Sequence, residues 1–290
     1  MNSIYLLVGG EATRLSPLSK GIPKALLTIR GKKIIDIILE NFVSFGDFDF
    51  NLICAYKHKE IWEIYKRESK LSINLHFEKE KLDTAGYIVK NLDRMPESFF
   101  CMNGDLLLNI NLSDFINNSL ISKTSLIGSI EVDDTSRYGV IQVDEYSRVI
   151  KFVEKPKTDS FGRKISIGLY HLLKRDINVI KNGLKIPCSF EKDVFPKLAE
   201  NSLLNTFTVN GEMVDVGTHD SYISAHIYDG ESNWISSNNT TISENVKISN
   251  SVILDNCFIE NDVVIKNSII CSNSIIKKGS KIDGKIIRNT

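Results

Sequence analysis

The segment from Ile242 to Ile286 carries the pattern that most constrains how this chain folds. Isoleucine and valine return at near-hexapeptide intervals among Asn, Ser, Asp and Lys, without helical periodicity and without proline. This spacing is typical of a parallel β-helix, whose coils stack on one another. Turns such as Asn238-Asn239 and Asn250-Ser251 suit its left-handed corners. We predict a short left-handed parallel β-helix of hexapeptide type over residues 233–290; a meander of short strands or a disordered tail is the alternative.

Upstream of this segment, strand patterns alternate with helix patterns. We predict strands at Ser3–Val8, Asn51–Ala55, Ile73–Phe77 and Ser98–Met102, and helices at Ile34–Phe45, Glu60–Ser69, Thr84–Leu92 and Leu112–Ser122. Further strands are predicted between residues 124 and 209. The fold class is therefore α/β, a Rossmann-like doubly wound mixed sheet, and we assign it to a domain of residues 1–232. Ligands of such sheets bind outside the carboxyl ends of the strands.

Composition excludes several classes of partner. Lysine plus arginine balance aspartate plus glutamate at 36 each, so no overall field favours nucleic acid or an acidic membrane. No apolar run approaches the roughly 20 residues of a membrane-spanning helix, and the N-terminus lacks a signal-peptide pattern. The five cysteines are scattered and odd in number, as in reduced core residues of a cytoplasmic protein. The five histidines form no metal or nucleophile pattern and are expected at the surface or its boundary.

The first strand runs directly into a glycine turn. After Ile4–Val8, the pair Gly9-Gly10 lets the backbone turn sharply and approach a ligand closely. Thr13, Arg14 and Lys24 then supply a hydroxyl, a guanidinium and an ammonium, the groups that a bound polyphosphate needs. The spacing fits neither the dinucleotide fingerprint nor the Walker loop. This is chemistry for a triphosphate.

Two aspartates lie in apolar surroundings. Asp105 follows the strand Phe99–Met102, and Asp215 stands between valines. Burying a carboxylate there costs free energy unless a positive charge neutralises it, and Mg²⁺ commonly does so at sites that bind phosphates. We predict that both carboxylates bind one Mg²⁺, although Asp105 taken alone fits a turn cap equally well.

The opening segment resembles a known family signature. Leu7–Leu18, followed by Pro23-Lys24 and Gly31-Lys32, is similar to the phosphate loop of the sugar-1-phosphate nucleotidyltransferases, the nucleotide-sugar pyrophosphorylases. Ala12 departs from it, because the family has glycine there, and alanine tolerates a positive φ poorly. The resemblance implies a GT-A-like nucleotidyltransferase fold and nucleotide contacts from Leu7, Gly9, Gly10, Thr13, Arg14 and Lys24.

A second segment resembles the loop that lies against the nucleobase and the sugar in this family. Glu78–Gly86 matches the family's Glu-x-x-x-Leu-Gly-Thr-Ala-Gly, with Asp83 in place of a glycine. Asp83, Thr84 and Gly86 are therefore predicted nucleotide contacts, together with Asp105. From the residues alone, Asp83-Thr84 is expected to cap the following helix.

Later motifs follow in family order. Glu154-Lys155-Pro156 resembles the motif in which the glutamate meets sugar hydroxyls and the lysine meets the sugar phosphate. Taken alone, the same residues fit a solvated ion pair before a turn. Asp105 and Asp215 match the family's metal ligands, and Phe190–Pro196 resembles a segment expected to shape the domain. The predicted sugar-phosphate contacts are Gly139, Glu154, Lys155, Ser166 and Thr218.

The resemblance implies transfer of a nucleotidyl group from a nucleoside triphosphate to a sugar 1-phosphate, with Mg²⁺ as cofactor and pyrophosphate as by-product. Arg14, Lys24 and Lys155 are the predicted catalytic residues. The opening Leu7–Gly10 and the segment Glu78–Gly86 favour GTP with mannose 1-phosphate, while uridylyl or thymidylyl transfer to hexose or amino-sugar phosphates stays open. A non-catalytic regulatory paralogue and a purely structural β-helix protein are the rival classes. The exposed end of a short β-helix favours a homo-oligomer.

Overall fold

The computed structural model describes residues 2–156, 161–227 and 231–288. The chain divides into two compact units, Met1–Gly9 with Ile38–Met213 and Gly10–Ile37 with Val214–Thr290. One helix, Ile34–Val43, and one strand, Gly211–Asp215, run across the boundaries between these segments. The functional division at residue 232 stays a prediction.

Strands and helices are numbered along the chain. The strands are β1 Asn2–Leu7, β2 Thr28–Ile29, β3 Lys32–Lys33, β4 Phe48–Ala55, β5 Ile73–Glu78, β6 Ser98–Asn103, β7 Leu106–Ile110, β8 Ser125–Glu131, β9 Gly139–Val143, β10 Val149–Glu154, β11 Lys164–Leu173, β12 Leu204–Thr208, β13 Gly211–Asp215, β14 Trp234–Ile235, β15 Thr241–Ile242, β16 Lys247–Ser249, β17 Val252–Ile253, β18 Phe258–Ile259, β19 Val264–Lys266, β20 Ile269–Ile270, β21 Ile275–Ile276, β22 Lys281–Asp283 and β23 Ile286–Ile287. The helices are α1 Ile34–Val43, α2 Lys59–Glu68, α3 Asp83–Lys90, α4 Leu112–Ile121, α5 Lys174–Ile180, α6 Phe195–Glu200 and α7 His219–His226.

The first unit is built on one mixed sheet. Its strand order is β10-β9-β11-β6-β1-β4-β5, and β8 pairs with both β11 and β12. Strands β6, β1, β4 and β5 are parallel, whereas β11 is antiparallel to β6 and to β8. β4 is buried along most of its length, as expected of a strand covered on both faces. The predicted α/β class, with a doubly wound mixed sheet, is confirmed.

The order of the strands reverses at β1, which pairs with β4 on one side and with β6 on the other. Ligands of doubly wound sheets bind at such a switch point, beyond the carboxyl ends of the strands. Gly104, just after β6, donates its N–H to the carbonyl of Leu7 at 3.1 Å. A Cβ at Gly104 would lie 3.1 Å from the same oxygen, so the close approach requires glycine.

An apolar core that includes Tyr170, Phe190 and Phe195 packs against this sheet. Aromatic rings dominate its centre, where Phe190 stacks on Phe195 with centroids 5.4 Å apart and Tyr170 meets Phe195 edge-on at 4.8 Å. All three side chains are buried. The turn that carries Phe190 is π-helical, Phe190–Val194, and it is held by this packing.

The C-terminal part of the second unit is a parallel β-helix. Three sheets form its sides, with the orders β14-β17-β20-β23, β15-β18-β21 and β16-β19-β22. Most paired positions are 17 residues apart, as shown by Asn250, whose side-chain amide donates to the amide oxygen of Asn267 at 2.7 Å. The corners are residues with positive φ: Asn239, Asn245, Asn250, Asn256, Asp262, Asn267, Asn273, Gly279 and Gly284. The predicted short β-helix is confirmed, with asparagine at the corners because it tolerates this backbone conformation.

The remaining sequence expectations have mixed outcomes. The five cysteines are free and buried, as predicted. The expectation for histidines is wrong at His171 and His226, which are 3 % and 0 % exposed. Burial lowers the pKa of each to about 4, so both remain neutral packing residues at neutral pH. None of the helices in the described part of the chain combines the length and apolar character that spanning a bilayer requires.

Candidate functional site

The opening loop is ordered by its own backbone. The N–H of Lys24 donates to the carbonyl of Gly10 at 3.2 Å, and the carbonyl of Ala12 accepts from Leu15 N at 2.9 Å and from the Ser19 hydroxyl at 2.5 Å. Ala12 has φ −85° and ψ 58°, close to an inverse γ-turn. Alanine therefore replaces the family glycine here without strain. Thr13, Arg14 and Leu15 form a short 3₁₀ turn that leaves the threonine and arginine side chains exposed.

A buried cation lies at the end of this loop. Lys24 is 6 % exposed, and its Nζ lies 2.9 Å from Oδ1 of Asp215. Gly217 makes this approach possible, because a Cβ there would lie 2.9 Å from Asp215 Oδ1 and 3.1 Å from Lys24 Nζ. The Gly217 N–H also donates to the Asp215 carbonyl at 2.8 Å. The second unit thus brings together a predicted phosphate-binding lysine and a predicted metal ligand.

In the first unit, Gly9 faces a carboxylate that the sequence analysis did not select. A Cβ at Gly9 would lie 3.8 Å from Oε2 of Glu78 and 3.6 Å from the N of Ala55. The other oxygen, Oε1, is buried without a hydrogen-bond partner among the described residues. Burial, together with the negative charge of Asp83, raises the pKa of Glu78 to about 7. A buried acceptor without a donor is a candidate for ligand recognition.

A local signal for Glu78 does exist in the sequence. An acidic residue directly follows the apolar strand pattern Ile73–Phe77, much as Asp105 follows the strand Phe99–Met102 after Asn103-Gly104. Strand β5 extends one residue beyond that prediction and ends at Glu78 itself. The carboxylate is therefore placed at the carboxyl edge of the sheet by the strand, and its acidity is set by burial there.

The loop after Glu78 differs from the expected helix cap. Helix α3 begins at Asp83, but no side chain caps it. Asp83 has φ 66°, a conformation that favours glycine, which is the residue the family pattern has at this place. Thr84 is turned away from its own helix, because its hydroxyl accepts from the N–H of Phe190 at 2.9 Å and donates to Glu191 at 2.7 Å. The capping prediction for Asp83-Thr84 is wrong: the Thr84 hydroxyl is engaged by the π-helical turn, and the Asp83 carboxylate accepts from the adjacent Thr84 N–H at 3.1 Å from within the helix.

The predicted sugar-phosphate residues of the first unit lie on the strands β9, β10 and β11, except Lys155, which directly follows β10. Glu154 Oε1 lies 3.1 Å from Lys155 Nζ, and the Lys155 side chain is 64 % exposed. A Cβ at Gly139 would overlap the Phe152 ring and would lie 3.1 Å from Glu154 Oε2, so glycine leaves room for both side chains. Ser166 accepts from the Gly168 N–H at 3.2 Å. Glutamate and lysine are thus adjacent and accessible, as a sugar diol and its phosphate would require.

Thr218 has a structural role that the motif did not predict. Its hydroxyl accepts from the Ser221 N–H at 3.3 Å, and the Ser221 hydroxyl accepts from the N–H of Thr218 at 3.0 Å. This capping box begins α7. Contact between Thr218 and a sugar phosphate stays a prediction.

The predicted metal ligands belong to different units, Asp105 to the first and Asp215 to the second. Within residues 2–156, 161–227 and 231–288, no group of three or more histidine, cysteine, aspartate or glutamate side chains is assembled to hold a metal ion. Two carboxylates that complete their coordination with substrate phosphates and water would not form such a group. The metal assignment stays a prediction.

Comparison with known proteins identifies the family. A family model described as nucleotidyl transferase matches residues 4–232. The mannose-1-phosphate guanyltransferase of Hypocrea jecorina is 31 % identical over 229 residues, 76 % of this chain and 62 % of that protein. The protein of the same name from Saccharomyces cerevisiae is 30 % identical over 233 residues, 77 % of this chain and 63 % of its own length. The chain therefore spans about three fifths of these curated relatives.

A solved structure agrees with these matches. The crystal structure of HddC from Yersinia pseudotuberculosis superimposes with a TM-score of 0.63 and 28 % sequence identity, covering 78 % of this chain and 98 % of that one. The resemblance predicted from the motifs is confirmed, and so is the fold that it implied.

Proposed function

Because the chain belongs to the nucleotidyl transferase family, we propose that it transfers a nucleotidyl group from a nucleoside triphosphate to a sugar 1-phosphate. The observation that carries the proposal is the Lys24 ammonium, 6 % exposed and 2.9 Å from Asp215, at the end of an ordered glycine loop. A desolvated cation interacts more strongly with a phosphate anion than an exposed one. The adjacent Glu154 and Lys155 provide the complementary groups for a phosphorylated sugar.

The chemistry requires positioning more than proton transfer. A sugar phosphate is already an anionic nucleophile near neutral pH, so its oxygen attacks the α-phosphorus while the bond to the β-phosphate breaks and pyrophosphate leaves. Arg14 and Lys24 neutralise the triphosphate and the leaving group, and Lys155 neutralises the sugar phosphate. Glu154 accepts hydrogen bonds from sugar hydroxyls. Holding two mutually repelling anions in line accounts for the rate.

Asp105 and Asp215 are the residues that would hold Mg²⁺. Their hard oxygen donors fit this ion, and the Lys24 ammonium already beside Asp215 supports a site arranged around opposite charges. When bound, Mg²⁺ supplies further positive charge against the phosphate oxygens.

Guanine is the base that Glu78 fits. A carboxylate only accepts hydrogen bonds, and the Watson–Crick edge of guanine offers two adjacent donors, the N1–H and the 2-amino group. Uracil and thymine offer one N–H between two carbonyl oxygens. These carbonyl oxygens are themselves acceptors, so an anionic carboxylate repels them. The names of the relatives, mannose-1-phosphate guanyltransferases, agree with this assignment and make mannose 1-phosphate the first sugar to test.

Assembly and location belong to the same proposal. Phe258 and Ile275 pair in one outer sheet of the β-helix and are 43 % and 46 % exposed, which supports packing against a second copy as a homo-oligomer. Five free cysteines support the reducing conditions of the cytoplasm. Light scattering of the purified chain tests the assembly.

A substrate screen tests the function. Pyrophosphate release is measured with Mg²⁺ for each common nucleoside triphosphate against a panel of sugar 1-phosphates. We expect turnover with GTP and mannose 1-phosphate or a closely related sugar. Turnover with UTP or dTTP alone would overturn the base assignment, and nucleotide binding without any turnover would favour the regulatory paralogue.

A further inference from the structure

Three segments of the first unit that are distant in sequence meet at the Glu191 carboxylate. Oε2 accepts from the Thr84 hydroxyl at 2.7 Å, and Oε1 lies 3.5 Å from the Tyr170 hydroxyl, which donates to it. Thr84 lies in the predicted nucleotide loop, whereas Tyr170 lies on β11, the strand that carries Ser166. Glu191 itself belongs to the π-helical turn Phe190–Val194. One side chain therefore connects the two sets of predicted substrate contacts.

The contact with Thr84 is specific because the threonine hydroxyl both accepts and donates a hydrogen bond. It accepts from the Phe190 N–H at 2.9 Å, so its single proton is available to Glu191. Two backbone bonds flank this contact: Ala85 N donates to Cys188 O at 3.0 Å, and Cys188 N donates to Leu82 O at 3.1 Å. The loop is thereby fastened to the segment just before and within the π-helical turn.

The surroundings of Glu191 disfavour its ionised form, so this side chain is not simply a solvated surface carboxylate. Burial raises the pKa of Glu191, the Thr84 hydrogen bond lowers it, and the negative charge of Glu154 raises it again. Tyr170, on the other side, is 1 % exposed. Burial and the neighbouring carboxylate both cost free energy, and the hydrogen bonds that Glu191 accepts offset this cost.

We propose that Glu191 is a positioning residue that holds Thr84, and through it the loop Leu82–Gly86, in the conformation that binds nucleotide. The inference rests on the proposed function for its kinetic part only. Glu191 acts without touching substrate. Such a partner also stabilises the loop, because Asp83 is held at φ 66°, a conformation that costs aspartate more free energy than the glycine of the family pattern.

Three variants separate the hydrogen bond from the charge. Glu191→Ala removes the acceptor, Thr84→Val removes the donor, and Glu191→Gln keeps an oxygen for Thr84 while its amide can donate to the Tyr170 oxygen. Lys192→Ala, at an exposed position of the same turn, is the matched control. The first readout is hydrogen exchange of the peptide covering Leu82–Lys90 in the full chain without substrate, which does not depend on activity.

We expect Glu191→Ala and Thr84→Val to accelerate exchange of this peptide, while Glu191→Gln and Lys192→Ala retain the protection of the parent. In kinetics, the first two should raise KM for the nucleotide about tenfold with a smaller change in kcat, as loss of one charge-assisted hydrogen bond predicts. The double variant Thr84→Val with Glu191→Ala should be no worse than either single variant, because both remove the same bond.

The outcomes distinguish this inference from the proposed function. Unchanged exchange in Glu191→Ala, or a Glu191→Gln variant as impaired as Glu191→Ala, would overturn the positioning role even in an active enzyme. If the parent chain turns over no nucleotide while the exchange pattern follows the expectation, the proposed function fails and the structural link between Glu191 and the loop stands.

Discussion

We predict that Glu78, through its proposed contact with guanine, makes kcat/KM for GTP dependent on pH. Its raised pKa of about 7 means that the carboxylate is largely protonated at pH 6 and largely ionised at pH 8. Only the ionised form presents acceptors alone to the guanine edge, so affinity for GTP is lost as pH falls through the pKa. The ionised fraction changes about tenfold between pH 8 and pH 6, and kcat/KM for GTP should follow it, since this parameter reports the free enzyme.

The Glu78→Gln variant isolates this effect. Glutamine does not titrate and presents one acceptor instead of two, so at pH 8 its kcat/KM for GTP should fall roughly 10- to 150-fold, the range for hydrogen bonds to a charged group. The lower end applies here, because Glu78 is half-buried and solvent screens its charge. At pH 6 the kcat/KM values of the parent and of Glu78→Gln for GTP should be similar, because the parent carboxylate is then largely protonated.

The assay is pyrophosphate release at limiting GTP from pH 5.5 to 8.5. GTP and the sugar phosphate titrate in the same pH range, but their contribution cancels when kcat/KM of the parent is divided by kcat/KM of Glu78→Gln at each pH. Inosine triphosphate, which lacks the 2-amino donor, serves as a second probe and should lose less in the variant than GTP does. A ratio that stays flat across this range would refute the reading of Glu78 as the group that recognises the base.

Three further tests, with five substitutions, probe the packing and the backbone geometry. Gly217→Ala should push apart the ion-paired ammonium and carboxylate described above, because its Cβ would lie within 3.1 Å of both; circular dichroism should show a folded protein, and retention of full turnover would contradict the prediction. Ile265→Ala in the β-helix core should cost about 2–5 kcal/mol in urea unfolding, against at most about 0.5 kcal/mol for Ile121→Ala at a 79 % exposed position. Asp83→Gly should stabilise the chain by about 1 kcal/mol, since φ is 66°, whereas Ala12→Gly at φ −85° should destabilise it by about 0.5–1 kcal/mol; equal shifts in Tm would exclude this backbone argument.

Local sequence pattern predicts the elements of this fold well. Strands such as β4 and β6 are short apolar runs bounded by turn residues, and the β-helix repeats an apolar position with asparagine at its corners. In each case the information lies within a few residues of the element it describes. The glycine loop is similar, because hydrogen bonds such as that from Lys24 N to Gly10 O and those to Ala12 O close within the segment from Gly10 to Lys24.

Contacts between distant segments could not be predicted in this way. Lys24 and Asp215 are 191 positions apart, and Thr84 and Glu191 are 107 apart. Nothing in the local pattern of either partner specifies the other, since such contacts depend on how the elements pack. The same reason explains the error at the α3 cap: Thr84 prefers a cap by propensity, but the π-helical turn offers its hydroxyl two stronger partners.

The fate of the α-phosphorus shows whether the nucleotidyl group of GTP is transferred to the sugar phosphate. GTP labelled at the α-phosphate is incubated with mannose 1-phosphate, Mg²⁺ and the full chain, in parallel with Lys24→Ala and with Lys20→Ala as a control at an exposed lysine of the same loop. We predict that the label appears in a nucleotide-sugar at the rate of pyrophosphate release, that Lys24→Ala loses this product, and that Lys20→Ala retains it. Label recovered only as GMP or GDP, or full product formation by Lys24→Ala, would contradict this prediction.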